Sequence, residues 1–236
     1  MKSIRYIIYV LRMIVAKFLL IVVAYSPLDA LRRLAFKILM NEHRVVDYFK
    51  PHRGDVVVDV GAYIGMYSML SSRLVSEEGT VLAIEPHPLN YLRLVENIRV
   101  LRAKNVRPLM LALLDYDGYC KLYVAEELVS HSVLPISNSY ITVPCRSLDS
   151  LLEALGIGDV GLIKVDVEGA ELLVLRGAER TLRRSKNVRL IIECHGTLGE
   201  VRRYLRSLGF SIKIINTRRG EKIYHIYAVK PAVVST

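Results

Sequence analysis

Glutamine is absent from this 236-residue chain, and asparagine is sparse. That scarcity of amides is compatible with a thermophilic source. Cysteine occurs only at Cys120, Cys145 and Cys194. Three scattered cysteines exclude a disulfide scaffold and a zinc site, and they fit a reducing, intracellular setting. Glycine and proline, at 14 and 8, follow no period, which excludes collagen-like and low-complexity classes. Hydrophobic residues make up 52% and charged residues 24%, which excludes a disordered chain. The length suits one domain with an appendage.

What is present is unevenly placed. Of the net +10, residues 1–53 hold ten Lys/Arg against three acids, leaving +3 for everything after them. The basic residues sit among Ile, Val and Leu instead of aromatics. This favours a lipid surface over nucleic acid. The apolar stretch from Ile4 is interrupted by Arg5, Arg12 and Lys17, so its charge-free run is only Phe18–Leu28, too short for a clean span. On a helix Lys2, Arg5, Arg12 and Lys17 share one broad sector. No small-residue cleavage site follows, which argues against a signal peptide. Leu28–Met40 reads as a second helix. Residues 1–44 are therefore expected to form a basic, apolar helical segment ahead of a domain over 45–236. Its expected role is peripheral contact with a membrane, on a cytoplasmic protein at that membrane's cytoplasmic face. A helical hairpin packed on the protein's own core competes with that reading.

From residue 51 strands and helices alternate. Val56–Val60, Thr80–Glu85, Val106–Leu111, Gly161–Asp166 and Val188–Glu193 read as strands. Met66–Leu74, Leu89–Leu101, Glu171–Arg183 and Leu198–Leu208 read as helices. Phe210–Ile215 and Lys222–Val229 read as an antiparallel pair turning at Asn216–Gly220. Apolar strands without clean alternation imply a mostly parallel sheet covered by helices on both faces. Residues 112–160 are too many for a bare connection. They hold strand-like Tyr119–Ala125 and Tyr140–Cys145, then helical Leu148–Leu155, as an insertion near the strands' carboxyl ends, where such sheets bind ligands.

Three constellations fall at those ends. The first is Asp59-Val-Gly61-Ala-Tyr-Ile-Gly65 after the first strand. Its glycines permit a tight turn, but it lacks the Gly-x-Gly-x-x-Gly of dinucleotide binders, and Asp59 favours a cation over a phosphate. The second is Glu85-Pro86-His87-Pro88, where an acid 24 residues past Gly61 can accept both hydroxyl protons of a ribose. The third is Lys164-Val-Asp166-Val-Glu168-Gly169-Ala-Glu171. Alternation would set Lys164, Asp166 and Glu168 on one side of an extended chain. Charges in an apolar strand are costly unless paired or used. Glu171 has a ready reading as a favourable charge at a helix N-terminus.

These segments, with Ala112, Asp115-Tyr-Asp-Gly118, Leu175-Arg-Gly177-Ala and Ile-Ile-Glu193-Cys-His195, resemble the FkbM-type S-adenosylmethionine-dependent methyltransferases over roughly residues 45–230. Tyr63 stands where that family usually has Asn. The resemblance implies a class I methyltransferase, Rossmann-like sheet of seven strands, one inserted antiparallel. It implies a cofactor site for S-adenosyl-L-methionine built from Asp59, Gly61, Ala62, Gly65, Glu85, Pro86, Ala112 and Asp166. The expected acceptor is a hydroxyl on a sugar, glycan, lipid-linked or other small molecule.

A hydroxyl nucleophile must shed its proton, so a base near the strand ends is useful. Asp166 and His195 are the candidates, with Lys164 beside them as a catalytic residue. Glu168 and His131 are expected to line the acceptor pocket. Asp166, Glu168 and His195 lack the close spacing of a metal-ligand set, so no metal is expected. A nicotinamide-dependent oxidoreductase and a non-catalytic scaffold on the same fold are the alternative functions. No Asn/Asp-Pro-Pro-aromatic motif points to base amines, and no nucleic-acid partner is expected.

Overall fold

The computed structural model describes residues 15, 18–23, 29–40, 44–124, 131–135, 138–185, 187–218 and 223–230. Ten strands and seven α-helices have bounds within it. The first strand, β1 (Val56–Val60), is a β-branched run that suits a fully buried position. It is flanked by β2 (Thr80–Ile84) and then β3 (Val106–Leu109) on one side. On the other lie β7 (Leu162–Val165), β8 (Arg189–His195), β10 (Ile223–Val229) and β9 (Ser211–Arg218), in that order. Strands β1, β2, β3, β7 and β8 pair in parallel, while β10 is antiparallel to both its neighbours. The expected seven-stranded, mostly parallel Rossmann-like sheet is what forms. The order reverses at β1, so the crevice between the ends of β1 and β7 is where this architecture binds ligands.

Alternation along each strand feeds two cores. Val57, Val81, Ala83, Leu162 and Ile191 meet helices α2 (Met66–Val75) and α3 (Pro88–Val100) on one face. Val58, Leu82, Ile84, Ile163, Leu190 and Ile192 meet α4 (Leu148–Ala154), α5 (Glu171–Arg176), α6 (Glu179–Arg184) and α7 (Leu198–Ser207) on the other. Pro88 opens α3 where its missing N–H costs nothing. Ser147 caps α4, its Oγ accepting from the Ser150 amide at 3.2 Å.

The insertion folds largely as its sequence suggests. Strands β5 (Gly118–Tyr123) and β6 (Tyr140–Arg146) pair antiparallel, and the two-residue β4 (Ala112–Leu113), too short for a sequence signal, runs parallel to β6. One expectation fails. The single helix over Glu171–Arg183 is broken at Gly177–Ala178 into α5 and α6. A Cβ on Gly177 would lie 1.9 Å from the Leu114 carbonyl oxygen, so the helix end is pressed against the insertion's backbone.

At the N-terminus, α1 (Asp29–Met40) matches the second expected helix, and residues 18–23 are also helical. Leu19, Leu20, Val23 and Ala35 join the same core as Val45, Phe49 and Tyr67. This segment therefore packs on the domain, as the hairpin reading expects. No helix among the described residues is long and apolar enough to cross a membrane. The basic sector from Lys2 to Lys17 and the 219–222 turn lie outside the described residues.

Candidate active site

The site forms around a buried ion-pair network under the β1 loop. Asp59 and Lys164 are register partners on adjacent strands and project to the same face. Asp59 is fully buried; Ser68 Oγ, on α2, donates to its Oδ2 at 2.6 Å. Lys164 Nζ lies 3.8 Å from Asp59 Oδ1 and 3.2 Å from Asp166 Oδ2, and it donates to the Gly61 carbonyl at 3.3 Å. It also lies 5.2 Å from the centroid of the Tyr67 ring. Burial raises the Asp59 carboxyl against the pull of Lys164. Burial acts the same way on Asp166, but there Lys164 and His195 win, and its carboxyl is held below the ordinary range. Asp59 is thus a counter-ion to Lys164 beneath the loop.

The loop itself is shaped by left-handed residues. Gly61 has φ 76° and Gly65 φ 96°. A Cβ on Gly61 would lie 1.9 Å from the Asp166 carbonyl oxygen, so only glycine lets the ends of β1 and β7 close together. Tyr63, at φ 51°, is strained in a region that Asn tolerates better. The amides of Gly61 and Ala62 both donate to the Ile84 carbonyl, which pins the loop to the tip of β2.

Glu85 follows that tip. Its Oε2 accepts from the Tyr63 amide at 2.9 Å and its Oε1 from the His87 amide at 3.0 Å. Only 5% of Glu85 is exposed, and burial pushes its carboxyl up to about 7 despite those donors. Such a group accepts further donors readily. Two ribose hydroxyls would hold it ionised, so the residues present fit an adenosine-bearing cofactor. Ala112 is buried in β4 among Leu114, Leu122 and Val143, so any part it plays beside a cofactor is through its main chain.

The third group departs from the sequence expectation. Strand β7 ends at Val165, and Glu168 adopts φ 52°, so alternation does not carry Glu168 to the side of Lys164. Glu168 instead turns to His195, whose Nε2 lies 3.4 Å from its Oε2. His195 is not beyond the fifth parallel strand but its last residue, because β8 runs two residues further than the apolar run suggests. Its Nδ1 lies 3.1 Å from Glu171 Oε1. Glu171 is fully buried; it accepts also from the Gly169 amide at 2.8 Å and from Thr197 Oγ1 at 2.7 Å. Glu193 Oε1 lies 3.7 Å from His195 Nε2, and Glu193 Oε2 lies 3.2 Å from His225 Nε2. Burial opposes charge on His195, but the Glu171 hydrogen bond and the charges of Asp166, Glu168 and Glu193 prevail, raising the ring to about 9. Burial takes Glu168 to about 7.

Asp166, Glu168 and His195 each bring one ligand-type atom within 4.8 Å of the others. Spacing along the chain did not show that these three residues converge, since they come from two segments. In this structure Glu168 pairs with His195 and Asp166 with Lys164. In the insertion, His131 stacks on His87 with centroids 3.9 Å apart, and burial, then His87, brings His131 down to about 4. Ser132 Oγ donates to the Glu168 carbonyl at 2.8 Å, tying the insertion over the β7 tip. Glu171, Ser68, Thr197 and His225 are the site residues that sequence reasoning did not place. For Glu171 a signal existed: three residues after Glu168, it opens the helix facing the β8 tip.

Residues 59–212 fit the family described as Methyltransferase FkbM domain. The chain belongs to the FkbM methyltransferase family. It is 31% identical over 192 residues to the 31-O-demethyl-FK506 methyltransferase FkbM of Streptomyces tacrolimicus, covering 67% of this chain and 74% of that protein. It is 30% identical over 170 residues to the hexuronic acid methyltransferase AglP of Haloferax volcanii, covering 71% of this chain and 68% of that one. The fold is shared with the crystal structure of methyltransferase FkbM from Methylobacillus flagellatus, at TM-score 0.56 and 19% identity, over 92% of this chain and 59% of that one. As an FkbM-family protein the chain is an S-adenosylmethionine-dependent methyltransferase, which displaces the oxidoreductase and scaffold alternatives.

Proposed function

We propose that this FkbM-family enzyme methylates a hydroxyl of a sugar, glycan or related small polyol, with His195 as general base. The carrying observation is the pairing of His195 Nδ1 with buried Glu171 at 3.1 Å, which aims Nε2 away from that partner, towards Glu168 and Glu193. The names of the two curated relatives, one a 31-O-demethyl macrolide methyltransferase and the other a hexuronic acid methyltransferase, support an oxygen nucleophile on a polyoxygenated acceptor.

Bound S-adenosylmethionine supplies an electrophilic methyl group on a sulfonium. Glu85 would take the ribose hydroxyls, and the Gly61–Gly65 loop would lie against the rest of the cofactor. The protein's task is then alignment, which can supply up to ~7–11 kcal/mol of the barrier. Lys164 keeps Asp166 ionised at the β7 tip, beside a cationic ligand. Glu168 accepts a hydrogen bond from the acceptor, and His131 closes the pocket from the insertion. His195 Nε2 takes the hydroxyl proton, while Glu171 holds the ring's orientation and stabilises the imidazolium that forms. Glu171 is a positioning residue in this scheme.

Calorimetric titration with S-adenosylhomocysteine and with NAD tests the cofactor assignment; binding of NAD alone would overturn it. His195→Ala tests the base. It should lower turnover at least 100-fold while S-adenosylhomocysteine affinity stays within a factor of a few. Wild-type turnover in that variant would remove His195 from the mechanism.

A further inference from the structure

The described N-terminal helical residues are apolar both towards the domain and towards solvent. In residues 18–23, Leu19, Leu20 and Val23 are buried in the domain core. At about 100° per residue they occupy one half of the helix circumference. The other half holds Val15, Phe18 and Ile21, all exposed, with Phe18 at 63%. Among the described side chains of α1, Ala35 is buried, about 40° round the helix from Leu31. Leu31, Leu34 and Ile38 are exposed and fall within an arc of about 60°, with exposed Lys37 beside them. A surface helix that buries one apolar face normally presents charged and polar residues on the other. Here two consecutive helices each present large apolar side chains outward, in a segment that is short of acids. Residues 1–40 hold seven Lys/Arg and one acid, Asp29.

We propose that this outward face, Val15, Phe18, Ile21, Leu31, Leu34 and Ile38, docks the enzyme on a membrane surface of anionic lipid. The occupant follows from the combination of groups. Apolar side chains insert shallowly at the acyl boundary, and a surplus of Lys and Arg is matched by acidic headgroups. A protein partner with a dry apolar patch would not call for six net positive charges in the same forty residues. The inner face of the helices stays on the domain, so the contact is peripheral and the catalytic sheet is held at the lipid surface. Packing on the domain and binding lipid are therefore compatible, because Val15, Phe18, Ile21, Leu31, Leu34 and Ile38 stay exposed while Leu19, Leu20, Val23 and Ala35 are buried.

The test is co-sedimentation of the full chain with vesicles of phosphatidylcholine alone and with phosphatidylglycerol added. The wild type should partition onto the anionic vesicles at low salt, more weakly at high salt, and least onto neutral vesicles. Replacing the exposed residues together (F18S/I21S/L34S/I38S) should lower the partition coefficient at least tenfold, with S-adenosylhomocysteine affinity and thermal unfolding unchanged. The exposed Lys37→Glu is a second variant that leaves the apolar residues intact, and it should lower partitioning severalfold on anionic vesicles alone. Absence of wild-type binding to anionic vesicles at low salt would overturn the proposal. So would undiminished binding by both variants. A wild type that ignores vesicles but forms a dimer, lost in the serine variant, would assign the face to a second copy of the chain instead.

Discussion

Replacing Lys164 with methionine probes the network on which the site is built. Lys164 is 4% exposed and is the cation between Asp59, which is fully buried, and Asp166. Met fills a similar volume, so the cavity contribution is small. What changes is that two carboxylates lose their counter-ion in a low-dielectric interior. Breaking a buried pair by removing one partner costs about 3–5 kcal/mol. For a chain of this size that corresponds to a drop of roughly 6–20 °C in Tm, at ~2–4 °C per kcal/mol. The loss should depend on pH in a definite direction. Without Lys164, Asp59 and Asp166 have raised carboxyl pKa values in the folded state. The penalty is full above those values and fades as pH falls from them towards the unfolded carboxyl value of about 3.9. Urea unfolding of wild type and Lys164→Met from pH 8 to pH 4 should therefore show a gap that narrows towards acid. Adding Asp59→Asn to the variant should recover part of the loss, because one stranded charge is gone. A loss below about 1 kcal/mol at neutral pH, or a gap that does not change with pH, would refute the network as described.

Four further outcomes are expected. Glu85→Ala should weaken S-adenosylhomocysteine binding by about 1.5–3 kcal/mol by calorimetry, the range for hydrogen bonds to a charged group; unchanged affinity in a folded variant would remove Glu85 from the cofactor site. Asp166→Ala should cut turnover at saturating cofactor far more than it weakens cofactor binding, and wild-type turnover would contradict its place at the β7 tip. With His195 held at about 9, kcat/KM should rise with pH up to that region, and Glu171→Gln, which removes an anionic partner of the imidazolium, should move the limb to lower pH while Glu171→Asp moves it less. Gly61→Ala should destabilise the fold by about 1–3 kcal/mol or more in urea unfolding, since its Cβ would stand 1.9 Å from the Asp166 carbonyl oxygen.

The pH dependence of stability follows the same groups. His195 has a folded-state pKa of about 9, above its ordinary 6.5. Its contribution is full below about 6.5 and is lost as pH rises through about 9. Glu85 and Glu168 are raised to about 7, so their protonated forms are favoured on folding. In the cofactor-free protein they lower stability as pH climbs from about 4.5 to about 7. A cofactor that donates hydrogen bonds to Glu85 should remove its share of that loss.

The sheet was legible because most of its strands are short, largely apolar runs and its turns carry Gly and Pro. Glu85 was legible because its offset from Gly61 places it one strand tip away. Other features depend on contacts between distant segments. Asp59 and Lys164 are 105 residues apart in sequence and meet only through the register of β1 and β7. Glu168 looked like the next outward residue of an extended chain, and its left-handed backbone sends it to His195 instead. Glu171 offered a sufficient local explanation as a helix-start charge, which hid its bond to the β8 tip. The break at Gly177 comes from the approach of Leu114, a contact that no local propensity encodes. Apolar residues in 1–40 signalled burial and exposure equally, and only packing separated Leu20 and Val23 from Phe18 and Ile21.

The proposed reaction is transfer of a methyl group to an acceptor hydroxyl by the residues at the β7 and β8 tips. It is tested most directly by incubating the full-length enzyme with S-adenosylmethionine carrying a deuterated methyl group and a panel of uronic acids, glycans and polyols, then locating the label by mass spectrometry. The wild type should place one labelled methyl on an acceptor oxygen, and His195→Ala should lose that product. Label found only on nitrogen or carbon, or oxygen labelling that persists undiminished in His195→Ala, would contradict it.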